Sequence, residues 1–153
     1  MLRSDIPVAL PLHLSIDYDD AGGVDMDQVA ADVGVFVIPY KCEVFRSGLV
    51  VSEACAGGDA TPVVDFDLRP TAGSDTNRGA ADIAHFVLAT TAAGKVMYDE
   101  AAQGTVLEPG QEVVVQLTTA AAGAGAAGHV HPFLLVKEIP ETVANMSDMV
   151  VTA

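Results

Sequence analysis

Tryptophan is absent from this chain of 153 residues, and aromatic residues make up only 5% of it. Sugar-binding platforms and single-strand nucleic-acid grooves stack their ligands on aromatic rings, so the shortage counts against both. Basic residues are scarce too. Seven Lys and Arg stand against 21 Asp and Glu, for a net charge of −14. The seven, Arg3, Lys41, Arg46, Arg69, Arg78, Lys95 and Lys137, are scattered along the chain. Phosphate backbones and anionic headgroups need clustered cations, so the sequence argues for no nucleic-acid partner and no membrane partner. The acidity reads as a solvated outer surface.

Cysteine is nearly missing. Cys42 and Cys55 are the only two, which is too few for a disulfide scaffold. They fall at neighbouring predicted strand ends, so a hairpin pairing is geometrically open, but free, buried thiols are the favoured reading. No apolar run reaches the length of a membrane-spanning helix. Pro7, Pro11 and His13 interrupt the N-terminal apolar stretch, and no small-residue cleavage site follows it. That predicts no signal peptide and synthesis in a cytoplasm.

What is present is aliphatic and strand-like. Hydrophobic residues are 50% of the chain, enough for the core of one domain. Residues 1–34 read as an extended N-terminal arm, with one or two helical turns expected within Met26–Asp32. Residues 35–139 read as a β body, and 140–153 as a C-terminal tail. Within the body, Val35–Ile38 is a short apolar run closed by Pro39. Gly48 interrupts the run from Cys42 to Ala54, which suggests a bulge or bend. From Val64 to Arg69 the sequence alternates: Val64, Phe66 and Leu68 share one face, and Asp65, Asp67 and Arg69 share the other, expected to be exposed. Residues 70–79 read as a polar loop. Pro109-Gly110 fits the centre of a type II turn. Val113–Thr118 is the strongest strand, Ala120–Gly128 is a low-complexity loop, and His129–Ile139 is the last strong strand. Seven to nine short strands with frequent turns predict an all-β single domain, a sandwich or a barrel.

No constellation for chemistry is complete. No serine sits in a Gly-x-Ser-x-Gly elbow, and neither cysteine has a local catalytic signature. Asp17–Asp20 and Asp65–Asp67 do not follow a calcium-loop pattern. His129 and His131, at i and i+2 on one strand, share a face, as in the metal-binding pair of cupins. Gly123 even stands at the spacing a cupin glycine would. The carboxylate ligand then fails to appear, since its positions hold Leu135 and Val136, and no later histidine exists. The sequence thus assigns no catalytic, cofactor or metal residues, and predicts neither an enzyme nor a bound cofactor.

One likeness remains. Residues 33 to 137, through Val35–Pro39, the strand near Cys42–Val44, the turn Gly57–Ala60, Pro62–Phe66, Gly94–Val96 and Leu107–Leu117, resemble small head decoration, or cement, proteins of tailed bacteriophages. The resemblance implies a jelly-roll-like β-sandwich on the outer capsid surface of a virion. It implies the major capsid protein as partner, homotrimeric assembly, and synthesis in the host cytoplasm. The competing expectations are a receptor- or glycan-binding β-sandwich and, further off, a cupin-like metal protein using His129 and His131.

Overall fold

The computed structural model describes residues 11–14, 16, 22–69 and 83–140. The expected polar loop at 70–79, nearly half of the N-terminal arm and nearly all of the C-terminal tail lie outside them. Ten strands follow in order: β1 Leu12–Leu14, β2 Val24–Asp25, β3 Asp32–Val37, β4 Cys42–Ala56, β5 Val63–Arg69, β6 Ala84–Val87, β7 Val96–Asp99, β8 Val106–Leu107, β9 Glu112–Thr119 and β10 Ala127–Glu138. No helix occurs among the described residues.

The strands form two antiparallel sheets. The larger runs β1-β10-β4-β7, with β2 on the edge of β10 and β8 on the edge of β4; the smaller runs β3-β9-β5-β6. Chain order therefore alternates between the sheets, and the last strands slot between the first ones. This is the connectivity of a jelly roll, a double sheet of two Greek keys. The all-β sandwich expected from the sequence is the fold observed.

The core lies between the inner faces. Phe36, Phe66 and Phe86 reach in from β3, β5 and β6. Their ring centroids are 5.7 Å and 5.5 Å apart in succession. Val113, Val115 and Leu117 fill the sheet between them, and Val44, Leu49, Val51, Val130, Leu134 and Val136 close the core from the larger sheet. The alternation read in β5 holds on this side: Val64 and Phe66 are fully buried. The Pro109-Gly110 turn forms as predicted. Gly110 has φ +84°, a region open to glycine at no steric cost, and Gln111 N–H donates to Glu108 C=O at 3.2 Å.

Three local expectations need correction. Met26–Asp32 contains bends and no helical turn. Asp27 N–H donates to the Asp25 side chain at 3.0 Å, a local bond that competes with helix formation. Met26 meanwhile donates to Gly128 C=O and accepts from Ala121 N–H, which stitches it between β9 and β10. Val24 and Met26 are core residues, and the arm boundary drawn at residue 34 falls inside β3. Gly48 is not the bulge. The register of β4 against β10 steps from Arg46 to Val44 while β10 steps from Leu135 to Val136, so the extra residue is Phe45. Finally, Cys42 and Cys55 occupy opposite ends of the single strand β4, roughly 40 Å apart along an extended chain. They cannot pair, and both are free and buried.

Candidate functional site

The outer face of the larger sheet is built from β10 and β4. Along β10, Gly128, Val130, Pro132, Leu134 and Val136 point inward, which turns His129, His131, Phe133, Leu135 and Lys137 outward. On β4 the bulge places Phe45 and Arg46 on the same outer side, because neighbouring residues at a bulge share one partner. Gly48 pairs with Phe133 of β10 on one flank and with Tyr98 of β7 on the other. A Cβ at Gly48 would stand 2.2 Å from Phe133 Cζ. The glycine is thus the floor on which the Phe133 ring lies. Above it Phe133 and Tyr98 meet edge to face, with centroids 6.0 Å apart and planes at 78°.

Other groups extend this pair across the sheet. His13 of β1 stacks beside Phe133 at 6.2 Å. The Arg46 guanidinium lies 4.7 Å from the Tyr98 centroid and 5.6 Å from that of Phe45. Glu100 holds its far side at 2.5 Å. Lys137 Nζ sits 4.6 Å over the Phe45 ring. The result is a continuous row across four strands: His13, Phe133, Tyr98, Arg46, Phe45 and Lys137. Each cation–ring contact contributes about 0.5–1 kcal/mol at an exposed site, which biases the side chains towards this arrangement. Tyr98 is 54% exposed, Val96 on the same strand 41%, and Val106 of β8, opposite Glu43, 45%. Three phenylalanines go to the core, and Phe45, Phe133 and Tyr98 go to this face. Three of the chain's eight Phe and Tyr and two of its seven Lys and Arg meet on this one surface.

The sequence reading did not find this row. Its members are separated by up to 124 positions, and no local pattern links them. The visible signal was Gly48 in mid-strand, which is a site where a side chain crosses close to the backbone as readily as a bulge.

His129 and His131 share the outer face, as their spacing requires. His129 Nδ1 contacts Glu53 across the β4–β10 ladder, and β2 sets Asp25 opposite it on the other flank. The Asp27 carboxyl, hydrogen-bonded to Asp25, has its pKa raised by that bond and by the neighbouring charge. His131 is paired in register with Val50. Leu135 stands on the same face where a carboxylate ligand would be needed, and Glu138 has the opposite parity. Among the described residues, no group of three or more His, Cys, Asp or Glu side chains is arranged to hold a metal ion.

The outer face of the smaller sheet is different. One rung carries Asp32, Gln116, Asp65 and His85 from β3, β9, β5 and β6. His85 Nδ1 lies 2.6 Å from Asp65, and His85 N–H donates to the Asp99 carboxylate at 2.9 Å, tying β6 to β7. Arg69 bonds Glu112 at 3.3 Å and Asp32 at 2.8 Å. Glu112 is its own register partner, whereas Asp32 pairs with Gln116 further along β9. The Arg69 side chain therefore runs lengthwise over the middle of the face, where Asp67, Val114 and Gln116 are buried. The exposed carboxylate face expected on β5 is instead a half-closed ion-pair layer. A cleft of about 110 Å³ lined by Ala30, Ala31, Asp32, Gln116, Leu117 and Thr118 adjoins it, room for a few water molecules.

The two thiols are chemically quiet. Burial pushes each up to about 11 from the usual 9.0, so both stay protonated at neutral pH. Neither is expected to react with an aromatic disulfide reagent near pH 8 until the protein is unfolded. The same shift lowers stability as pH rises from 9.0 towards 11, because the unfolded thiols lose their protons there while the folded ones keep them. Thermal melts across that range check the sign.

Fold and face together define a jelly-roll β-sandwich with a preorganised aromatic–cation surface on its larger sheet. Compared with family models, with curated proteins and with solved structures, the chain matches none.

Proposed function

We propose that the chain is a structural virion protein that decorates the outside of a bacteriophage capsid and stabilises it by binding across major capsid subunits. The observation that carries this reading is the row from His13 to Lys137 on the open face of the larger sheet. Aromatic residues and Arg are the side chains over-represented in protein interfaces and among their hot spots. Here they are already fixed by contacts with one another, so less freedom is lost on docking. The sequence resemblance supplies the capsid as partner and a homotrimer as the assembling unit. A shell under internal pressure is strengthened by added buried contact, for which no bond-making chemistry is needed.

The test is cosedimentation of the purified chain with capsid shells assembled without it. Saturable recovery with the shells is expected. Protein that stays in the supernatant at every concentration overturns the reading. The second reading, a receptor- or glycan-binding module, draws on the exposed Tyr98 ring, which is able to stack on a sugar. It predicts a specific hit in a glycan array and no retention on shells.

A further inference from the structure

We infer that the outer face of the larger sheet docks onto a protein surface with an aliphatic centre and a basic rim, and not onto a second copy of this chain. The inference rests on the capsid-binding reading and names the chemistry of the partner's contact surface.

Size supports it first. The β4–β10 ladder joins eleven residue pairs, roughly 36 Å of strand, and four strands span about 19 Å. The face is then at most about 700 Å², since β1 and β7 are three and four residues long, approaching the ~800 Å² per partner of a standard interface. Its centre is Phe133, Tyr98, Val50, Val96 and Leu135, all apolar but for the Tyr98 hydroxyl, with Arg46 over the Tyr98 ring.

Charge fixes the rest. Arg46 and Lys137 are balanced on this face by Glu100 and Glu43. The chain as a whole carries a net charge of −14. At one end of the face stand Asp25 and Glu53, flanking His129, with Asp27 hydrogen-bonded to Asp25. An acidic stretch of rim beside a neutral centre is complementary to a basic stretch of rim beside an apolar one. On this face a second copy offers no cation beyond the balanced Arg46 and Lys137, and the net charges of two copies repel.

The experiment measures binding of the full chain to shells assembled without it, at about 50 mM and about 500 mM salt. Wild type is compared with Tyr98→Ala, Val96→Glu and Val87→Ser, the last on the edge of the smaller sheet. Thermal melts confirm that each variant is folded, and Val96→Glu reports on the same face if Tyr98→Ala is not. Loss of about 30-fold or more in affinity is expected for Tyr98→Ala, as for a hot-spot residue. Val96→Glu is expected to weaken binding comparably and Val87→Ser to leave it unchanged. Wild-type affinity should fall at least about tenfold at the higher salt. Wild-type retention with equal retention of both face variants overturns the inference and leaves the capsid reading standing. Salt-independent binding overturns the basic rim. A concentration-dependent dimer abolished by Tyr98→Ala puts a second copy on the face and overturns the inference. Failure of wild type to bind shells removes the capsid reading and the inference with it.

Discussion

Phe66→Ala is expected to destabilise the protein by about 3–5 kcal/mol, the range for removing a large aromatic side chain from a closed core. Phe66 is fully buried and is the middle ring of three, between Phe36 and Phe86. Its removal takes both ring contacts at once and leaves a cavity bordered by β9, whose Val113 and Val115 sit in a regular ladder with little room to collapse inward. Few large side chains are available to compensate, because the chain has five Phe and no Trp. A drop of roughly 10–15 °C in melting temperature follows for a domain of this size. Val87→Ala, half-exposed on the edge strand β6, is the control and should cost well under about 1 kcal/mol. Circular-dichroism melts read both. A loss below about 1 kcal/mol for Phe66→Ala would contradict the packing described here.

The second large effect is electrostatic. Arg69→Met keeps most of the aliphatic stem that covers Val114 and removes only the guanidinium. Asp32 and Glu112 then lose their shared cation in a half-buried layer that also contains Asp67. Breaking a fully buried pair costs about 3–5 kcal/mol. These side chains keep 15–27% of their exposure, so solvent screening lowers the expected loss to about 2 kcal/mol. Adding Asp32→Asn and Glu112→Gln should recover part of that loss, because the three groups act as one unit. Denaturant melts of the single and triple variants measure the recovery. A triple variant less stable than Arg69→Met would show that the carboxylates contribute independently of the arginine.

Much of the fold is legible in the sequence because its signals are local. The period-two run in β5, the Pro109-Gly110 turn and the aliphatic run of β9 each specify an element within a few residues. The face that matters for function is not local. Phe133 lies over a glycine 85 positions earlier, and Tyr98 comes from a third strand. Only the register of β4 against both neighbours brings them together. Asp67 misleads for the same reason. Its alternation is read correctly, but the face it occupies is closed by Arg69 reaching Asp32 from a strand two places away. Cys42 and Cys55 read as neighbouring strand ends, and the structure sets them at opposite ends of the one strand β4. His129 and His131 keep their predicted common face, yet their neighbours are Glu53, Asp25 and Val50 instead of a ligand set.

The central claim is that this chain acts by contact through the outer face of the larger sheet. Hydroxyl-radical footprinting of the chain free and bound to shells tests it most directly, since exposed rings and aliphatic side chains take up oxygen and covered ones do not. The account predicts strong protection of Tyr98, Phe45, Phe133 and Val96 on binding, with Val87 and Val37 of the smaller sheet labelled equally in both states. Unchanged labelling of Tyr98 and Phe133 in a complex that protects Val87 or Val37 would contradict it.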